Sequence, residues 1–133
     1  MTTIGHLMNK NILKIDHRAS VQEAALRIKE KKVGSLLVEK EGQYVGIITE
    51  TDIVRKAVAL GLDLKKETVG SIMSSPVITL DQQRTPTDAH DLMGEYGVRH
   101  LGVTQNGKIV GIVSVRDILI FFKGQSEPKM GID

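Results

Sequence analysis

The sequence predicts a mixed α/β (α+β) fold made of two copies of one β-α-β-β-α unit. The first observation is an internal repeat, because the chain matches itself when shifted by 65 positions, which brings Gly5 onto Gly70. No gap is needed from Ile4 to Val58, whereas a chance match would drift over that length. The second observation is that apolar residues follow the same helix and strand periods in both copies.

Each copy is predicted to begin with a short strand and a helix. The strands are Ile12–Ile15 in the first copy and Val77–Leu80 in the second, where apolar, β-prone residues run together. The helix that follows in the first copy has apolar residues at the i, i+3, i+4, i+7 spacing of one buried face. These residues are Val21, Ala24, Ala25 and Ile28.

Capping signals place the start of this helix in both copies. Ser20 with Glu23 has the spacing of a capping box, and Thr85 with Asp88 repeats it. Pro86 then stands at the first helical position, where the missing N–H of proline costs nothing.

Two more strands and a second helix complete each copy. The strands are Ser35–Val38 and Tyr44–Ile48 in the first copy, and Leu101–Val103 and Ile109–Val113 in the second. Asn106-Gly107 lies between the last two, and this dipeptide favours a hairpin. The final helices begin near Thr49 and Ser114. We expect the first two strands of each copy to be parallel and the third to pair antiparallel with the second.

The repeat also predicts the domain organisation. We expect one repeat over residues 1–61, a linker over 62–68, a second repeat over 69–123 and a flexible tail over 124–133. A unit of about 60 residues buries little surface alone. The two repeats are therefore expected to pack sheet-to-sheet with pseudo-two-fold symmetry as one module.

Composition argues against several classes of protein. The net charge is only +2 and the aromatic residues are two tyrosines and two phenylalanines, which argues against a nucleic-acid binder. There is no cysteine, and no apolar run approaches the length of a membrane span. We expect a cytoplasmic protein without a membrane partner. The four histidines lack the spacing of a metal site, and no nucleophile or cofactor motif suggests an enzyme.

One apolar segment predicts a partner. Ile118–Phe122 is five apolar residues within a helix, so they cover every face of it, while a small core accepts only one. A homodimer through these helices would bury the remainder. The alternative is that residues 124–133 fold back over them.

The ordered motifs resemble those of the CBS domain, named for cystathionine beta-synthase, in its tandem form, the Bateman module. The first copy has Gly-Ile-Ile-Thr-Glu-Thr-Asp ending at Asp52, and the second has Gly-Ile-Val-Ser-Val-Arg-Asp ending at Asp117. The likeness runs from Ile4 to Lys123. It implies a regulatory module that holds an adenosine-containing ligand in a cleft between the repeats, forms a homodimer and acts on an unknown regulated protein.

The resemblance also implies which residues bind. AMP, ADP or ATP is the expected ligand, with S-adenosylmethionine or NAD(H) possible in its place, and no catalytic cofactor is expected. Asp52 and Asp117, assisted by Thr49 and Ser114, would hold the ribose diol. The spacing of these residues alone is equally that of helix capping boxes, and both roles can coexist in one carboxylate.

The second copy adds basic residues that the first lacks. Arg99, His100 and Arg116 are the expected phosphate contacts, and a solvated surface charge is the alternative for each arginine. Aliphatic side chains would hold the adenine, since aromatic residues are few. The expected base-pocket residues are Ile12, Val77, Ile78 and Ile112. The rival functions are a dimerisation or interaction module that binds no ligand and, less favoured, a nucleic-acid binder.

Overall fold

The computed structural model describes residues 1–126 and contains two three-stranded sheets with their helices. In chain order the elements are α1 (Ile4–Leu7), β1 (Lys14–Asp16), α2 (Val21–Lys31), β2 (Ser35–Lys40), β3 (Gln43–Thr49), α3 (Glu50–Ile53), a π-helical turn (Val54–Val58), α4 (Val69–Ile72), β4 (Thr79–Asp81), α5 (Pro86–Tyr96), β5 (His100–Gln105), β6 (Lys108–Ser114) and α6 (Val115–Ser126).

The sheet topology confirms the predicted repeat. The strand orders are β1-β2-β3 and β4-β5-β6. In each sheet the first pair is parallel and the second pair antiparallel. The first strand of each sheet begins two residues later than predicted, because the parallel register pairs Lys14 with Leu37 and Thr79 with Gly102. Ile12 and Val77 therefore precede the strands.

Most of the predicted local signals are confirmed. Thr85 and Asp88 form a reciprocal capping box, and Pro86 opens α5. Ser20 accepts from the backbone N–H of Glu23 and so caps α2. The turn at Asn106-Gly107 has positive φ at both residues, 52° and 78°, as a two-residue hairpin with native twist requires.

The chain packs as two units that cut across the sequence repeats. The central unit is Ile12–Val77, and the terminal unit is Met1–Asn11 with the described residues from Ile78 on. The leading helix of each repeat lies in the unit that holds the other repeat's sheet. Ile4 of α1 is fully buried in the core of the terminal unit, and Val69 and Ile72 of α4 are buried in the core of the central unit.

Backbone pairing holds each leading segment in place. Asn9 pairs with Ile112 of β6, and Ser74 pairs with Ile47 of β3. The predicted linker, residues 62–68, is also part of the central unit, because Leu62 and Leu64 pack against its core. The predicted tail, residues 124–133, falls for the most part outside the described residues, and α6 extends to Ser126.

The apolar segment of α6 has a buried face and an exposed face, as the helical period requires. Ile118 is fully buried and Phe122 packs against the core of the terminal unit. Leu119 and Ile120 are 56% and 60% exposed. None of the helices within residues 1–126 has the length and hydropathy needed to cross a bilayer.

Candidate functional site

Asp117 is fixed in orientation through one of its two carboxylate oxygens. It lies in the first turn of α6 and is half-buried. Its Oδ2 accepts from the backbone N–H of Ser114 at 2.9 Å and from the Ser114 hydroxyl at 3.0 Å, while Ser114 Oγ accepts in return from the Asp117 N–H. Within residues 1–126, Oδ1 of Asp117 has no hydrogen-bond or ion-pair partner. The capping role therefore uses only half of the carboxylate.

Three basic residues of the terminal unit lie close to this carboxylate along the backbone. His100 pairs with Ser114 across β5 and β6. The carbonyl of Arg99 accepts from the N–H of Val115, the first residue of α6, at 2.8 Å. Arg99 and Arg116 are exposed, and neither guanidinium forms an ion pair with any described residue. The fold thus gathers Arg99, His100, Ser114, Arg116 and Asp117 at one end of one sheet.

The residues predicted to hold the base do not form one group. Ile78 packs against the core of the terminal unit. Ile112 lies on the face of the sheet opposite the core, because its neighbour Val113 is fully buried in the core and successive strand residues point to opposite faces. Its cross-strand partner there is Gly102, which has no side chain to cover it. Ile12 and Val77 belong to the central unit and are half-buried.

Asp52, the counterpart of Asp117, has a different environment. Its side chain is only 6% exposed. Oδ2 accepts from the backbone N–H of Thr49 at 3.1 Å, and Thr49 Oγ1 accepts in return, so the capping box is complete. Oδ1 accepts from the Ser74 hydroxyl at 2.8 Å and lies 2.9 Å from the ammonium of Lys56. Both oxygens of Asp52 are therefore occupied within the central unit.

Lys56 and Ser74 were not predicted from the sequence. The repeat offset places Phe121 opposite Lys56 and Asn9 opposite Ser74, so the difference could have been found by comparing the copies position by position. Asn9 does not replace Ser74, because its side-chain oxygen accepts from the backbone N–H of Asn11 instead. Lys56 lies in the π-helical turn, a local irregularity that often marks functional positions.

Comparison with known proteins agrees with this architecture. The family model of the CBS domain matches residues 4–59 and again residues 69–124. An uncharacterized protein of Acidianus ambivalens is 35% identical over 88% of this chain and 71% of its own length. One of Methanopyrus kandleri is 33% identical over 88% of this chain, which spans 61% of that relative.

A solved structure extends the likeness to three dimensions. A Burkholderia ambifaria protein with CBS domains superposes with a TM-score of 0.91 at 26% identity, over 98% of this chain and 100% of that one. Both repeats, both sheets and the order of elements match what this family contains. The chain therefore belongs to the CBS-domain family and carries two CBS domains in tandem.

Proposed function

We propose that this chain is a regulatory module that binds an adenosine-containing ligand at Asp117, with AMP, ADP or ATP as the expected class. The observation that carries the proposal is the Asp117 carboxylate, which is held by Ser114 through Oδ2 and whose Oδ1 has no partner within residues 1–126. A regulatory role in the cytoplasm, rather than a catalytic one, accords with membership of the family.

The ribose is the part of the ligand that this carboxylate suits. Two adjacent hydroxyls can donate to one carboxylate, and hydrogen bonds to a charged acceptor are among the stronger ones. The Ser114 contacts fix the carboxylate before the ligand arrives, so less conformational entropy is lost on binding. The negative charge also lies in the first turn of a helix, where the helix dipole stabilises it.

The rest of the nucleotide would use its neighbours. Arg99 and Arg116 offer planar guanidinium groups without ion-pair partners among the described residues, which suits a phosphate. Ile112, which is half-buried and pairs with Gly102 across the two strands, offers an aliphatic side chain for the base. His100 is the third candidate phosphate contact at the same sheet end.

A thermal-shift titration tests the proposal. A ligand at 100 times its Kd stabilises the fold by about 2.7 kcal/mol, which raises Tm by about 5–10 °C for a chain of this size. The panel is AMP, ADP, ATP, S-adenosylmethionine and NADH. The matched control is 2′-deoxy-ATP, which keeps the base and phosphates but lacks one of the hydroxyls assigned to Asp117.

The two nucleotides separate recognition of ribose from recognition of charge. We expect ATP or its relatives to raise Tm and 2′-deoxy-ATP to raise it clearly less. Equal rises in Tm with ATP and 2′-deoxy-ATP would show that Asp117 does not bind the ribose diol. No shift with any compound at millimolar concentration would overturn the proposal.

A second candidate function is favoured by exposed apolar side chains on the helices. Besides Leu119 and Ile120, three residues at or just after the π-helical turn are more than half exposed. They are Val54, Val58 and Leu60. We propose that these helices also mediate homodimerisation. Leu119→Glu should lower the mass seen by sedimentation, whereas Leu26→Glu, at an exposed leucine of α2, should not. A wild-type monomer would contradict this.

A further inference from the structure

We infer that the Lys56 ammonium occupies the place beside Asp52 where a ribose would bind in the first repeat. The chain would then bind one adenosine ligand, at Asp117, and none at Asp52. The inference rests on the proposed function, because it concerns how the two related carboxylates share that role. In this inference Lys56 is a specificity-determining residue, because it decides which of the two carboxylates binds the ligand.

The contacts of Lys56 support this assignment. An ammonium group has three N–H donors. Three acceptors lie within reach of Lys56 Nζ, namely Asp52 Oδ1 at 2.9 Å, the Ile72 carbonyl at 3.2 Å and Ser74 Oγ at 3.3 Å. The Ser74 hydroxyl donates to the same Asp52 oxygen at 2.8 Å. A carboxylate oxygen accepts about two hydrogen bonds, so these two donors fill Oδ1 of Asp52 and a ribose hydroxyl could reach it only where the ammonium is removed.

The location of these contacts makes displacement costly. Ser74 and Ile72 belong to the leading segment of the second repeat, which is tied to β3 by backbone hydrogen bonds of 2.9 and 2.8 Å between Ile47 and Ser74. The segment that carries two of the three acceptors is therefore held by backbone pairing, and the third, on Asp52, is held by the capping box with Thr49. A buried carboxylate that lost this cation would be left uncompensated.

The second repeat lacks both the lysine and the serine of this arrangement. Phe121 stands at the position of Lys56 and brings no charge. Arg99 and Arg116 also have uncharged counterparts, Gly34 and Thr51. The difference in charge between the copies thus favours one site per chain.

Calorimetric titration with ATP and with AMP tests the inference by stoichiometry. Wild type should bind one nucleotide per chain, and Asp117→Ala none. Lys56→Met should uncover Asp52 and bind two, and the double variant Asp117→Ala/Lys56→Met should regain one. Arg55→Met is the matched control, because Arg55 is exposed in the same π-helical turn and forms no ion pair among the described residues. It should leave the stoichiometry at one.

The reciprocal exchange covers the case in which Lys56→Met does not fold. Phe121→Lys places an ammonium four residues after Asp117, as Lys56 is placed after Asp52, and should weaken nucleotide binding by about tenfold. Phe121→Met, which removes the ring without adding charge, should not.

The outcomes separate this inference from the proposed function. Two nucleotides bound to wild type, or a folded Lys56→Met that gains no site, would overturn the role of Lys56 and leave nucleotide sensing intact. If Lys56→Met does not fold, a Phe121→Lys variant that binds as tightly as wild type would do the same. No binding by wild type would overturn the proposed function, and this inference with it.

Discussion

Asp52 and Asp117 occupy equivalent positions in two copies of one unit, yet their surroundings differ. Both carboxylates close a capping box with the residue three positions earlier. Asp52 is almost fully buried and its remaining oxygen is taken by Lys56 and Ser74. Asp117 is half-buried, and its remaining oxygen has no partner in residues 1–126.

The difference teaches that the motif does not by itself define a site. Capping fixes one oxygen in each copy, and the neighbours decide whether the other is available. In the central unit the neighbours come from α3 with its π-helical turn and from the leading segment of the other repeat. We propose that, after duplication, changes at such positions gave one copy a structural role and left the other for binding.

The largest expected effect concerns the interchange of leading segments. Ile4→Ala removes a fully buried side chain and should lower the free energy of unfolding by about 2–4 kcal/mol. Hydrogen exchange should show the loss of protection in β4–β6 and α5, not in β1–β3. The matched change Ile72→Ala should do the opposite and expose the central unit. Loss of protection confined to each residue's own repeat would contradict the two packing units.

A second effect separates the two carboxylates by stability without ligand. Asp52→Asn leaves Lys56 beside a neutral amide, and should cost about 2–3 kcal/mol, below the range for a fully buried pair because Lys56 is 45% exposed. Asp117→Asn should cost less than about 1 kcal/mol, since it weakens only a cap. Urea unfolding measures both. Equal costs would show that Lys56 contributes nothing.

The sequence was sufficient for much of this architecture. The 65-residue repeat, the apolar periods and the hairpin turn at Asn106-Gly107 predicted the strand order and both helices of each copy. The predicted helix starts near Thr49 and Ser114 also placed Asp52 and Asp117 in the first turn of a helix. The interchange of α1 and α4 was not predicted, because a repeat period does not say which copy's core receives a leading segment.

The different surroundings of Asp52 and Asp117 depend on this exchange of α1 and α4. Ser74 meets Asp52 only because the segment after α4 pairs with β3 of the first repeat. Lys56 lies four residues after Asp52 on a helix, and although the repeat offset sets it against Phe121, the sequence does not show that it contacts Asp52 rather than solvent. Its three acceptors become visible only in the folded chain.

A smaller effect is expected at two glycines on which the leading segments lie. A Cβ at Gly46 would come within 2.7 Å of the Ser74 carbonyl, and one at Gly111 within 3.0 Å of the Asn9 carbonyl. Both would also meet a methionine sulfur, which can move. Gly46→Ala should therefore cost more than Gly111→Ala, within about 1–3 kcal/mol. Thermal unfolding compares them, and the reverse order would contradict this packing.

The smallest effect concerns Asp88, a capping carboxylate with no assigned ligand. The Arg84 side chain, followed by the Thr85 contacts, holds the pKa of Asp88 below its usual value of 3.8. The stabilisation is therefore present above that pH and lost as the pH falls through the lowered pKa. Arg84→Ala should be slightly less stable than wild type at pH 7 and equal to it once Asp88 is protonated. A difference that persists in acid would assign the effect to packing, and a change in ATP affinity would contradict the separation of capping from binding.

The most direct test of the account is the ATP affinity of Asp117→Asn and Asp52→Asn, measured by calorimetry where both variants are folded. Loss of a hydrogen bond to a charged group costs about 1.5–3 kcal/mol, so Asp117→Asn should bind about 10–100 times more weakly than wild type. Asp52→Asn should bind within about threefold of wild type, since its carboxylate is already paired with Lys56. A large loss in Asp52→Asn with little change in Asp117→Asn would contradict the account.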